Sequence, residues 1–221
     1  MISHFEQPEV RRPKPVGHSC LLRIELDGPK PAIWRRLVVP TNANLGWLHA
    51  VFQISMGWTN SHLHLFQMGD KIIADPSFDE DRFEEEPESL DETKVRLGDL
   101  FTLTGETMIY RYDLGDSWHH LVTAEELPDI AATSGRKAIC IEGERACPPE
   151  DCGGCDGYAS LLEVLRDREH PEHKEKHEWL GRPFDPEHFL KSEINRWLGK
   201  LPWPRVTEAA LRKTLMARFG E

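Results

Sequence analysis

The stretch TMIYRYDLGDSWHHLVTAEEL, residues 107–127, limits the fold more than any other part of the chain. It holds two segments of period-two alternation, rich in Tyr, Ile, Val and Trp, that meet at Gly115 and Asp116. Alternation of this kind puts successive side chains on opposite faces of a strand, and a short polar turn between two such runs makes a hairpin. A second hairpin comes earlier. Leu22, Ile24 and Leu26 alternate with Arg23 and Glu25, DGPKP turns the chain, and AIWRRLVVP forms a return strand that Pro40 ends. Two hairpins require an antiparallel partner arrangement, so the remaining segments are read against a sheet.

Asn44 can cap a helix whose apolar face is Leu45, Leu48 and Phe52, and Gly57 stops it. HLHLFQMGDKIIADP reads as strand, turn, strand, and KVRLGDLF as a short helical turn. Residues 75–92 carry ten acids against one Arg and read as a solvated loop, the alternative being a cation-attracting or partner-binding flap. Later, Tyr158, Leu161, Leu162 and Leu165 lie on one helical face, Asp185 with Pro186 opens a helix facing inward through Leu190, Ile194, Trp197 and Leu198, and Thr207 caps a last one with Leu211, Leu215 and Phe219. Strands first and helices afterwards predict an α+β fold with a mainly antiparallel sheet, one early helix and a helical C-terminal half, and exclude a doubly wound parallel sheet. Residues 1–17, with Pro8, Pro13 and Pro15, read as a loose arm. The domain spans 18–200, and 201–221 is a C-terminal helical extension.

The chain has 221 residues, enough for a proper hydrophobic core. No apolar run approaches the length of a membrane span, and the first residues lack the apolar segment of a signal peptide, so the expected compartment is the cytoplasm. There thiols stay reduced unless they bind metal or do redox work, and the five cysteines are an odd count for a disulfide framework. A net charge of −11 opposes non-specific attraction to nucleic acid or anionic lipid. The C-terminal helix could finish this core or pack on a second copy of the chain.

The segments AIWRRLVVP, LGWLHAVFQISMGWTNSHLHLF, YRYDLGDSWHH and CPPEDCGGCDGYASLLEVL, in this order, resemble the plasmid pRiA4b ORF-3-like family, also called MM3350-like. The motif positions include Trp118, Glu150, Asp151, Gly153, Gly154, Gly157 and Tyr158. The resemblance implies a compact α+β domain of uncharacterised biochemistry, tied by some members' labels to plasmids and insertion elements and occasionally to resolvases. A serine recombinase needs an activated serine amid arginines and a basic DNA-binding module, which this acidic chain does not supply.

Three constellations could carry chemistry. Cys140, Cys147, Cys152 and Cys155 could hold structural zinc, with Cys152 and Cys155 as a knuckle across Gly153 and Gly154. Alternatively Cys152, before a helix N-terminus, could be redox-active, or the thiols could simply be free in a glycine corner. In the second, His62 and His64 share one strand face. With Asp113, Asp116 and one of His119 and His120, they could surround a divalent ion or do acid–base work, with Glu150 or Asp151 brought near by the corner. The third is His173 and His177, spaced i,i+4 on a charged helix whose glutamate is misplaced for a zinc-protease motif. Three functions follow: a binding or interaction module, a metal-dependent enzyme using the His and Asp residues, or a zinc-stabilised structural module.

Overall fold

The computed structural model describes residues 16–79, 89–126 and 137–219, so most of the expected N-terminal arm and the middle of the acidic stretch lie outside the described residues. In chain order the strands are β1 (Ser19–Leu26), β2 (Ile33–Pro40), β3 (His64–Met68), β4 (Lys71–Ala74), β5 (Leu90–Asp91), β6 (Thr107–Tyr112), β7 (Trp118–Glu125) and β8 (Ile139–Glu144). The helices are α1 (Leu45–Met56), α2 (Leu97–Leu100), α3 (Gly154–Arg166), α4 (His173–Leu180), α5 (Lys191–Leu198) and α6 (Glu208–Phe219). Both hairpins form as expected, β1 with β2 and β6 with β7, and Ile24 opposite Val122 joins them edge to edge. The full sheet order is β5-β4-β3-β6-β7-β1-β2-β8. The α+β class holds, but the sheet is mixed, because β5 lies parallel to β4.

Strand β8 has no clear signature in the sequence. Its alternation breaks at Gly143, where an added Cβ would stand 2.7 Å from the Trp34 carbonyl oxygen, and the β2 register shifts between Arg36 and Leu37. Cys140 therefore lies in a strand and not in a glycine-rich corner. The helix expected from Asp185 begins only at Lys191. Asp185 instead accepts the Glu187 amide in a turn, and Leu190 is 49% exposed while Ile194, Trp197 and Leu198 are buried.

Asn44 caps α1 by accepting the Trp47 amide, and Gly57 closes it with φ 103°. The expected apolar face is too narrow. Trp47, His49, Val51 and Gln53 are buried too, because α5 and the C-terminal segment cover the outer side of α1. Trp203 stands edge-on to Trp47 at 5.1 Å, and Leu211 and Leu215 join the same core. Among the described residues no helix is long and apolar enough to cross a membrane.

Two buried polar groups position the loops above this core. Arg35 is 2% exposed, and its guanidinium donates to the carbonyls of Trp34, Ser55, Glu144 and Arg145 at 2.7–2.9 Å. The second group lies between α1 and the sheet. His49 and His64 stack with ring centroids 3.4 Å apart, and His64 Nε2 meets Glu92 Oε2 at 2.7 Å. His49 Nε2 faces the Asn60 amide oxygen at 2.6 Å, so it carries the proton, and Nδ1 accepts from Tyr110 Oη. Glu92, 5% exposed, thus corrects the reading of 75–92 as wholly solvated. His120 is fully buried, with Nδ1 donating to the Tyr110 carbonyl.

Burial pushes His49 and His120 down to about 3 and His64 to about 4, from the ordinary 6.5. Burial also raises Glu92 to about 7 from 4.5. As pH falls below 6.5 the unfolded chain takes up histidine protons that the folded chain refuses, so this stability is complete above 6.5 and is lost towards pH 4. Glu92 acts in the opposite sense, its contribution present below 4.5 and lost as pH rises through 7, but one carboxyl opposes three imidazoles. Urea midpoints should therefore fall between pH 6.5 and 4.5, and more steeply in Glu92→Gln; a flat profile would contradict neutral buried histidines. Arg35→Met should cost about 3–5 kcal/mol in the same titrations at neutral pH, because it orphans four carbonyls. Arg36→Met, which removes pairs with Glu125 and Glu142 at the sheet surface, should cost less than about 1 kcal/mol.

Candidate metal centre

Three segments meet at the end of the sheet where β3 and β6 begin and finish. The first is the turn after α1, residues 58–63, whose Trp58 indole donates to the Pro148 carbonyl. The second is the turn of the β6–β7 hairpin, and the third is the loop running from Cys147 into α3. In the hairpin turn, Asp113 Oδ1 accepts the amides of Gly115 and Asp116, which leaves Oδ2 directed at His62. Asp116 points elsewhere, accepting the Gly153 amide at 3.1 Å and so pinning the start of α3 to the hairpin.

His62 Nε2 lies 3.2 Å from Asp151 Oδ1, 3.6 Å from Asp113 Oδ2 and 3.8 Å from Glu150 Oε2. That nitrogen is shielded from solvent and makes no hydrogen bond. Donor atoms bound about 2.0–2.2 Å from a common zinc-sized ion stand about 3–3.5 Å from one another, and the separations of His62 Nε2 from Asp151 and Asp113 come within a few tenths of an ångström of that range. His62, Asp113 and Asp151 are the one group among the described residues whose donor atoms all lie within 4.8 Å of one another. Glu150 lies behind them and is fully engaged, accepting from the Thr59 amide at 2.8 Å, the Thr59 hydroxyl at 3.0 Å and the Tyr112 hydroxyl at 3.0 Å. Burial, then the Glu150 carboxylate, holds that phenol well above its ordinary pKa, so it remains a donor. Asp151 is 70% exposed, which opens the group to water.

The backbone here is unusual as well. Asn60, Asp113, Ser117 and Asp151 all have φ between 55° and 58°, in the left-handed region that side chains disfavour. Asn60 is held there by His49 and by Gln53, which accepts its amide. Asp113 is held by its own turn bonds.

The structure divides the histidines and aspartates expected at one site. His62, Asp113, Glu150 and Asp151 come together. His64 turns into the core beside Glu92, Asp116 binds backbone, and His120 is buried beneath Trp58. His119 lies on the opposite sheet face from His120, as adjacent strand residues must. His173 and His177 pair on exposed α4, their ring centroids 4.5 Å apart.

The cysteines do not converge, and no cysteine enters a metal-ligand group among the described residues. Cys140 Sγ contacts the Glu142 carbonyl, Cys147 is buried, and Cys155 Sγ faces the Asp27 carbonyl across Gly28. The four cysteines that spacing suggested for one zinc do not form a shared ligand group among the described residues, Cys140 lying in β8. The Cys152 thiol meets surroundings that work against the thiolate a redox role needs. Burial, followed by the Asp116 carboxylate, pushes its thiol up to about 12, outweighing any help from the helix terminus. The remaining motif residues build the corner. Gly153 and Gly154 take φ 92° and 67°, and a Cβ on Gly157 would overlap the Cys152 carbonyl oxygen at 2.0 Å. Tyr158 and Trp118 are buried in the core.

Similarity to known proteins agrees with this architecture. Residues 18–193 match the family model described as plasmid pRiA4b ORF-3-like protein. The chain is 36% identical over 203 residues to the uncharacterised protein y4hQ of Sinorhizobium fredii, covering 90% of this chain and all of that one. It also resembles the crystal structure of MM3350, a protein of unknown function from Methanosarcina mazei Go1, with a TM-score of 0.68 and 36% identity over 79% of this chain and 96% of that one. The chain, with its hairpins, its cysteine-bearing corner and its eight-stranded sheet, belongs to the plasmid pRiA4b ORF-3-like family.

Proposed function

We propose that this chain is a divalent-cation-binding α+β domain whose ion is held by His62, Asp113 and Asp151, with Glu150 fixing the loop behind them. The observation that carries the reading is the unbonded His62 Nε2 facing three carboxylates at 3.2–3.8 Å. One imidazole with carboxylate oxygens suits Mn²⁺, Fe²⁺ or Zn²⁺ better than a thiolate-seeking ion. Three protein donors and an exposed Asp151 leave positions for water, as in catalytic sites and unlike closed structural ones. Bound metal would supply Lewis acidity or an activated water there, which makes a metal-dependent enzyme the natural extension of the reading.

A second reading, a metal-free binding or interaction module linked to plasmid or mobile-element biology, draws support from the same geometry. The three carboxylates stand within ion-pairing distance of His62 Nε2, where an imidazolium would donate its one Nε2 hydrogen to a single carboxylate and attract the other two without any metal. In both readings the location we propose is the cytoplasm, since the five thiols are all free.

Calorimetric titration with Mn²⁺ and Zn²⁺, together with elemental analysis, separates the two. The expected result is one ion per chain, with affinity reduced at least about tenfold in His62→Ala, Asp113→Asn and Asp151→Asn. Cys152→Ser and Cys155→Ser should leave it unchanged. Binding that ignores the first three substitutions, or no binding at all, would leave the interaction-module reading standing.

A further inference from the structure

A cavity of about 350 Å³ lies away from the candidate metal centre, between the end of α1, the 182–190 loop, α5 and α6. None of its lining residues belongs to the His62 group. Three guanidiniums line it, those of Arg35, Arg182 and Arg218, against two carboxylates, Asp185 and Glu193. The rings of Phe184 and Phe189 form apolar wall, and the Arg35 guanidinium lies 5.0 Å from the Phe189 ring centroid. Met56 and Ile194 add aliphatic surface. From these features we propose that the cavity is a binding site for a small planar anion of the aromatic carboxylate class.

Arg35 supplies fixed positive charge to the cavity. Its four bonds to backbone carbonyls use four of the five N–H groups of a guanidinium and leave one Nη2 hydrogen on a residue lining the cavity. Arg218 donates to the Ile54 carbonyl and pairs with Glu193 at 3.4 Å. Two of the three cations are therefore held rigidly by the last turn of α1, in place before any ligand arrives. Arg182 lines the exposed rim of the same cavity, and guanidinium and carboxylate share a two-pronged geometry. The phenyl rings give the cavity its flat apolar wall. A cavity of this size with aromatic walls and a few fixed polar groups has the proportions of a small-molecule site, and a flat ring can lie against Phe184 and Phe189 while its carboxylate meets the arginines. Cys147, at the inner end, is no nucleophile for such a ligand, because burial holds its thiol up at about 12.

This inference does not depend on the metal centre, and its test is run with EDTA present so that the two are judged apart. Indole-3-carboxylate, its neutral amide and inorganic phosphate are titrated into the full chain by calorimetry, with Arg182→Ala and Phe184→Ala checked for native circular dichroism. The expected result is saturable binding of the carboxylate near or below about 1 mM, at least about tenfold weaker binding of the amide, and a similar loss in both variants. Equal affinity for acid and amide would remove the anion argument, and phosphate binding as tightly as the carboxylate would remove the aromatic one. Absence of saturable binding, or variants that bind like the wild type, would overturn the site altogether.

Discussion

One buried guanidinium ties the upper half of the molecule together. Arg35 rises from β2 and bonds carbonyls on its own strand, at the end of α1 and at the end of β8. Lysine could not do this, since a single ammonium cannot address carbonyls spread across a plane. The consequence reaches beyond stability. Ser55 and Arg145, both gripped by Arg35, each stand a few residues before a segment that enters the candidate metal centre, 59–62 and 150–151 respectively. The Trp58 indole adds a second tie across the same gap by donating to Pro148. The spacing between His62 and Asp151 is thus set by hydrogen bonds to rigid elements, although both residues lie in loops.

That rigidity explains how the site tolerates its backbone. Each non-glycine residue in the left-handed region costs on the order of 1 kcal/mol or more, and three of them, Asn60, Asp113 and Asp151, sit at or beside the proposed ligands. Asn60 is secured by the buried His49 and Gln53, so the polar layer under the sheet end supports the loop above it. Glu150 plays the matching part on the other side, gathering Thr59 and the Tyr112 hydroxyl. The glycines of the corner do a different job. Gly157 lets α3 pass close beneath the Cys152 carbonyl, which places Asp151 over His62.

Much of the sheet was legible in the sequence because its signals are local. Alternation, the Asn44 cap and the Gly57 stop each act within a few residues, and each forms where its residues stand. What escaped depends on contacts far apart in the chain. Strand β8 is an edge strand bent around Gly143, whose glycine answers to the Trp34 carbonyl and the Phe189 ring, so no alternation survives to mark it. Glu92 ends a run of acids that looks uniformly solvated, and only the fold shows that it turns inward to His64. His62 and His64 were expected on one strand face, but His62 lies in the loop before β3 while His64 opens the strand and turns into the core, so burial separates their roles. Four cysteines close in sequence looked like one site because spacing along a chain says nothing of a strand that carries the first of them away.

Burial also grades how readily the groups of the corner give up their protons. A ligand must give up its proton, and the thiols of Cys147 and Cys152 are both pushed up to about 12 by the apolar surroundings that make them good packing residues. The carboxylates that meet around this corner, Asp113 from the hairpin turn and Glu150 and Asp151 from the loop itself, are graded in exposure from 7% through 19% to 70%. This gradient orders the donors. Asp113 is fixed by its turn and Glu150 by Thr59 and Tyr112, while Asp151 stands at the solvent boundary where an ion would arrive with its water. In the proposed site the segment that looked most like a sulfur site therefore contributes oxygen, while its cysteines Cys147 and Cys152 pack against the core.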